Sequence, residues 1–582
     1  MNLKKQVLIL GSTAAISLVG VACKDTFLEV PVTGQLSVAQ LNTKAAIEGS
    51  LVSVYSLLNG RGDRNASFAN WVWGGIRGGD ANKGTDFGDG TNFVPIQRFE
   101  TIPTGDVAGT WARKYEGISR ANSTLRLLAT AGSDVSAADK IRITAETRFL
   151  RGLYYFDLKR LYNMAPYIDE TVDYGTGIEK VPNNTDLWPK IEADIKFAYE
   201  NLPETQSAVG RVNKWAAAAQ LAKTYLYQKK FTDAKTLFDL IIANGKTSNG
   251  KKYGLVAKYA DLYRATNDNN EESVFAIQAA ANTGNVNNAN PEFDLNYPYN
   301  TGPNGPGNCC GFNQPSFEYV NSFRTDATGL PLLDNSYNIG ANQVKNDMNI
   351  LSKDPFTPDA GNLDPRLDHA VGRRGIPYLD WQDHPGADWI RLQTSGGPYS
   401  PKKFTYYKSD RGSLQDNSSW TPGYTALNFP IIRYADVLLM AAEAEIEVGS
   451  LAKARDYVNM VRKRAANPDG FVKRADGTPA ANYVISEYPA SVFATKASAT
   501  TALRFERRLE LGDEGHRFFD LVRWGVAAPV LNAYLQYEGA SARLPTALGG
   551  AKFTAGKDEY LPIPQAQIDI QGKDVLKQNP GY

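Results

Sequence analysis

Histidine and cysteine are scarce in this chain of 582 residues, which carries three of each. His369, His384 and His516 lie far apart, and beyond Cys23 the only cysteines are the neighbours Cys309 and Cys310. No Cys-x-x-Cys or His-x-x-x-His spacing occurs, which argues against a zinc site, and neither a metal nor a cofactor is expected. The adjacent cysteines could close a vicinal disulfide in an oxidising compartment or stay as two thiols. Excess charge is missing too: 63 basic side chains face 62 acidic ones. That balance argues against a nucleic-acid surface and against electrostatic adhesion to a membrane. No Gly-x-Ser-x-Gly, phosphate-loop or dinucleotide fingerprint is present. The uncharged stretch 7–22 is shorter than the ~20 residues a membrane-spanning helix needs.

What is present begins at that stretch. Lys4 and Lys5 precede it, and it ends in small residues running into Cys23. This is similar to the lipobox of bacterial lipoproteins, so residues 1–22 are expected to be a signal peptide and Cys23 the lipid-bearing N-terminus. The alternative is an ordinary secretory signal, or an uncleaved anchor, with a chance cysteine.

The mature chain is too long for one small core, and two or more lobes are expected. Apolar spacing predicts helices over 41–58, 111–128, 137–161, 186–202, 214–242 (broken near Gln228), 431–464, 499–511 and 516–524. The run Ala216 to Ala234 resembles a tetratricopeptide hairpin, in which small residues let two helices approach closely, and Ala441 to Ala454 resembles a second. Between Tyr253 and Asn428 the texture changes to Asn, Gly, Pro, Asp and aromatics. Its many rings predict an ordered, loop-built lobe rather than disorder. The predicted class is mostly α, a helical scaffold decorated by an irregular ligand-binding lobe. The predicted organisation is 23–252 as an N-terminal helical region, 253–428 as the loop-rich lobe and 429–582 as a C-terminal helical region.

Eight pieces in order along nearly the whole mature chain carry a family resemblance. They are Cys23-Lys-Asp-Thr-Phe-Leu-Glu-Val-Pro31; Trp111-Ala-Arg-Lys-Tyr115; Ala145-Glu-Thr-Arg-Phe-Leu-Arg151 running into Tyr154-Tyr-Phe-Asp-Leu158; and Asp364-Pro-Arg-Leu367. Arg433-Tyr-Ala-Asp-Val-Leu-Leu-Met440, Arg507-Arg-Leu-Glu-Leu511, Gly515-His-Arg-Phe-Phe-Asp-Leu-Val-Arg-Trp524 and Gln578-Asn-Pro-Gly-Tyr582 complete the set. Together they resemble the SusD/RagB family of nutrient-capturing lipoproteins. The resemblance implies a surface lipoprotein of the outer membrane, held there only by its N-terminal lipid, that binds an oligosaccharide and delivers it to a SusC-type TonB-dependent transporter. Some members of the family bind peptides instead. Asp25 and Glu29 resemble the signal that sends such lipoproteins to the cell surface.

The densest charged cluster runs from Arg504 through Glu506, Glu510, Asp513 and Glu514 to His516 and Asp520. An enzyme reading would make Glu506 or Glu510 a general acid and His516 a base, or recruit the loop carboxylates Asp364, Asp380, Asp383 and Asp388, as in a surface glycoside hydrolase. One helical turn apart and flanked by Arg507 and Arg508, the two glutamates instead predict ion pairs between helices. Arg433, Asp436 and Glu443 on an apolar helix predict the same. No catalytic residue is therefore assigned.

The candidate ligand contact is the glycine-rich stretch 68–90, read as a flexible binding loop, with Trp71, Trp73, Asp80, Asn82 and Asp86. Sugars present apolar C–H faces ringed by hydroxyls, which suits flat rings beside groups that hydrogen-bond in two directions. The competing reading makes Trp71 and Trp73 core plugs. Trp381 and Trp389, in a Gly/Pro/Asp-rich context, form a second candidate platform. If these rings are platforms, Trp73→Ala or Trp389→Ala weakens ligand binding and leaves unfolding nearly unchanged.

Overall fold

The computed structural model describes residues 38–307 and 309–582, so the signal segment, Cys23, Asp25 and Glu29 lie outside the described residues. The protein is mostly helical. The principal helices are α1 (Lys44–Tyr55), α2 (Val107–Ala129), α3 (Ala137–Tyr162), α4 (Trp188–Asn201), α5 (Lys214–Tyr227), α6 (Phe231–Asn244), α7 (Tyr434–Val448), α8 (Leu451–Ala465), α9 (Lys496–Leu511), α10 (Arg517–Arg523) and α11 (Ala527–Glu538). The last was not foreseen. Pro529 masks it, but that proline falls in the first turn, where a missing N–H costs nothing.

Each helix packs on its successor from α1 to α6, α6 packs on α7, and α9 packs on both α7 and α8. Small residues make the close approaches possible. Ala216 to Ala219 and Ala222 on α5, Ala234 on α6, Ala442 and Ala444 on α7 and Ala454 on α8 are all buried. Asn213 opens α5 by accepting the Ala216 N–H at 2.9 Å, and the Ser450 hydroxyl does the same for Lys453 at the start of α8. The two tetratricopeptide-like hairpins, α5–α6 and α7–α8, therefore lie side by side although nearly two hundred residues separate them in sequence.

Those intervening residues form the irregular lobe, and two strands staple its ends. Strand β2 (Ser273–Ile277) follows α6, and β4 (Phe429–Arg433) leads into α7; the two pair antiparallel. A second pair joins the lobe to the N-terminal half: β1 (Ala81–Gly84) runs antiparallel to β3 (Phe312–Pro315). Cys309 and Cys310, just before β3, are joined in a vicinal disulfide. The main core draws buried residues from both helical regions and from the lobe, while Tyr297, Tyr378, Trp381, Trp389 and Tyr406 make a separate small core inside the lobe.

The closing motif has a structural task. Asn579 donates its side-chain amide to the Tyr162 carbonyl (2.8 Å) and the Leu561 carbonyl (2.7 Å), satisfying an acceptor at the end of α3. The glycines of the 68–90 stretch also have one. Residues 71–76 form a wide buried turn in which the Arg77 N–H reaches back to the Val72 carbonyl at 3.2 Å. A Cβ on Gly74 would lie 1.9 Å from the Gly515 carbonyl oxygen, and Gly515 itself holds φ near +75°. The two backbones touch where no side chain fits. The expectation of a flexible loop is therefore corrected: these glycines serve close packing. Gly74→Ala should cost about 1–3 kcal/mol, read as a lower urea midpoint; an unchanged midpoint would refute the packing argument.

Candidate functional site

The sequence-predicted site residues divide by depth. Trp71 is 1% exposed and donates its indole N–H to the Glu292 carbonyl at 2.8 Å. Trp73 is fully buried, its N–H on the Asn65 carbonyl at 2.7 Å and the Thr110 hydroxyl at 3.2 Å. Neither ring offers a face to a sugar, so the core-plug reading replaces the platform reading for both. Asp80 is buried beside Arg508 and accepts the Asp513 N–H at 3.2 Å; burial raises its carboxyl above the usual range despite that cation. Asn82 is buried too, bonded to Glu538 and to the Tyr534 hydroxyl. Trp381 and Trp389 belong to the small lobe core: the Trp381 N–H reaches the Tyr406 carbonyl at 3.2 Å, and Trp389 packs edge-on against Tyr378. Both are corrected to supporting residues, because a buried ring cannot stack on a ligand.

Asp86 alone of the seven reaches the surface, and there the two predicted groups converge. Arg391, two residues beyond Trp389, pairs with Asp86 at 2.8 Å and with Asp89 at 2.5 Å, and its guanidinium lies over the Tyr299 ring. The Lys83 ammonium donates to the carbonyls of Asp86 and Asp89 from below. Burial pulls its pKa down to about 8 against those carboxylates. The Thr85 N–H bonds the Gly311 carbonyl at 2.5 Å, tying this loop to the segment just after the disulfide. The result is a rim whose charged groups are fixed by one another yet half open to solvent.

Two rings that sequence reasoning missed stand out on the lobe side. Phe87, between Asp86 and Asp89, is 40% exposed, and Trp420 is 61% exposed; among the described residues they are the exposed large aromatics. The Trp420 N–H touches the Tyr424 hydroxyl at 3.2 Å, and nearby Gly423 packs against Asp294 and Tyr297. A signal for both existed. Each sits in a run of Asp, Asn, Ser, Thr and Gly with no apolar neighbour to share a core. A separate groove of about 330 Å³ between α1 and β2, lined by Tyr55, Gln278, Asn287 and Asn288, has no charged group.

The acidic cluster of α9 is interior. Glu506 bonds Arg366 and Arg462, while Glu510 bonds Arg366, Arg433 and Arg464, all essentially unexposed. Asp364 is likewise buried on Arg366, and Asp380 accepts the backbone N–H groups of Lys408 and Ser409. These carboxylates hold the fold together, and a substrate cannot reach the glutamates.

Stacked helical hairpins carry an inserted lobe that displays Trp420, and the lobe's Arg391 meets Asp86 and Asp89 of the N-terminal half in a charged rim beside exposed Phe87. Comparison with known proteins identifies the kind of scaffold. The SusD family model matches residues 271–582, and a second, described as starch-binding and associating with the outer membrane, matches 90–226; the chain belongs to the SusD family. It is 25% identical to SusD-like protein P2 of Formosa agariphila, over 82% of this chain and 81% of that one. It is also 25% identical to the starch-binding protein SusD of Bacteroides thetaiotaomicron, over 76% and 74% of the two chains. Among solved structures, the surface glycan-binding protein A of Bacteroides thetaiotaomicron in complex with laminarihexaose superposes with a TM-score of 0.62. That match covers 92% of this chain and 99% of that one at 21% identity, a likeness of fold.

Proposed function

We propose that this protein is a non-enzymatic, lipid-anchored binder of oligosaccharides at the outer-membrane surface, passing its ligand to a SusC-type TonB-dependent transporter. The observations that carry the binding role are two exposed rings, Phe87 and Trp420, and the half-open Asp86–Arg391–Asp89 rim next to Phe87. The rings supply flat apolar faces, and the carboxylates keep lone pairs free for hydroxyl donors. The glycan names borne by relatives support the ligand class. No described helix is long and apolar enough to cross a membrane. Attachment is assigned to Cys23, whose lipid would hold the lobe near the transporter at high effective concentration. Of the residues first proposed as contacts, Asp86 remains one. Trp381 and Trp389 support the lobe from inside, and Asn82 lies on the strand that anchors the loop.

The test is affinity electrophoresis and calorimetry across starch, laminarin and a wide glycan panel. Binding to at least one glycan is expected, with Trp420→Ala or Arg391→Ala weakening it about tenfold or more, the worth of one lost stacking or charge-assisted contact. Unfolding should hardly change in Trp420→Ala, because that ring is 61% exposed. A protein that ignores the whole panel and binds peptide would overturn the glycan reading.

A further inference from the structure

The helical scaffold holds a cavity of about 190 Å³ where the α5–α6 turn meets α7, α9 and the end of α10. Leu226, Ile446, Leu503 and Trp524 give it an apolar patch, and charged and polar side chains, Arg504 and Lys229 among them, line the rest. The carboxylates that line it are already engaged. Glu443 takes two bonds from Arg523 and one from the Trp524 N–H at 3.0 Å, and Glu447 pairs with Lys496 at 2.5 Å.

Arg504 is left over. Its guanidinium lies 4.8 Å from the Trp524 ring, and its Nε is buried with no hydrogen-bond partner. Burial, with Arg523 nearby, lowers its pKa from the ordinary value in spite of Glu443. Glu443 and Glu447 act on Arg504 only at a distance, so among the described residues its guanidinium has no hydrogen-bonded carboxylate, and a ligand carboxylate would supply one. A guanidinium stacked on a ring still presents its edge, the geometry that takes a carboxylate through two parallel bonds.

The walls discriminate between sources of that carboxylate. A sugar acid needs partners for several hydroxyls. The polar neutral group here is Thr500, whose hydroxyl already donates to the Lys496 carbonyl at 2.7 Å. The apolar patch of Leu226, Ile446 and Leu503 beside that fork suits an apolar side chain next to an acid. We propose that this cavity is a docking site for an acidic peptide segment of a partner protein. The recognised element is an Asp, a Glu or a chain-terminal carboxylate adjacent to an apolar side chain, bound by Arg504 with Lys229 at the rim.

The probe is a phage-displayed dodecapeptide library panned on the full chain, with selected peptides then titrated by fluorescence anisotropy. Enriched peptides should carry an acid beside an apolar residue. Arg504→Met should weaken them at least tenfold, with Arg504→Lys intermediate, while glycan binding stays unchanged. Should Arg504→Met unfold, the same loss must appear when the peptide's acid is replaced by its amide. No enrichment, enriched peptides without an acid, or equal affinity for Arg504→Met would overturn the proposal. So would competition by trigalacturonate that itself depends on Arg504, since the carboxylate would then belong to a sugar.

Discussion

Trp73→Ala should lower the unfolding free energy by about 3–5 kcal/mol, the cost of emptying a large aromatic site in a packed core. The ring is fully buried and holds two hydrogen bonds, to the Asn65 carbonyl and the Thr110 hydroxyl. Removing it leaves a cavity beneath the loop that leads to β1. Trp73→Phe keeps most of the packing but forfeits the N–H, and should cost less, about 1–3 kcal/mol. Urea unfolding at neutral pH reads both. Any loss of glycan affinity in Trp73→Ala should follow the loss of folded protein and be recovered when binding is measured on the folded fraction. Wild-type unfolding together with abolished binding would restore the ring to the ligand site.

The contrast with the sequence expectation has a physical source. Glycines around Trp71 and Trp73 read as flexibility, but glycine also permits backbone contact, and composition does not distinguish the two uses. Only the approach of Gly515, over four hundred residues away, shows that Gly74 serves contact. Burial of Trp381 and Trp389 was hidden for a related reason. Their partners Tyr297, Tyr378 and Tyr406 are dispersed among turn residues, with no period to betray a shared core.

The scaffold was legible because its signals are local. Alanines at helical spacing announced the α5–α6 and α7–α8 hairpins, and the end of α5 near Gln228 fell at the expected break. The alternation of acids and arginines on α9 announced ion pairing, though not its partners. Arg366 comes from the lobe, and Arg433 from the end of β4, where it also bonds Glu272. On α3, Arg160 pairs with Asp157 one turn away, but Arg148 and Arg151 reach across to Asp194 on α4, and Asp157 also pairs with Lys114 of α2. Local charge patterning reveals that a helix face is paired, but the partner is a property of the packing.

Arg433→Met should be among the most damaging single changes, costing about 3–5 kcal/mol by taking from three buried carboxylates a cation that they share. Arg433 is 1% exposed and bonds Glu272 at 2.8 Å, Glu510 at 2.6 Å and Glu514 at 2.8 Å, so it links the base of the lobe to α9. Its loss should also change the response to acid. Burial alone would raise the Glu514 carboxyl, yet Arg433 and Lys403 overcome that and hold it at about 2; Glu510 is held lower still by Arg464, Arg433 and Arg366. Carboxyls depressed in the folded state contribute stability above their unfolded value, about 4.3, and lose it as pH falls through the folded one. Wild type should therefore weaken steeply between about pH 4.5 and 2. Asp513 runs the other way: burial, despite the Asn313 amide, pushes it up to about 7. Its contribution is complete below its unfolded value and fades as pH rises through 7. In Arg433→Met the depressed carboxyls move up, so the gap to wild type should be widest near neutral pH and shrink as acid protonates them in both proteins. A gap that stays constant from pH 7 to pH 3 would show that Arg433 acts by packing alone.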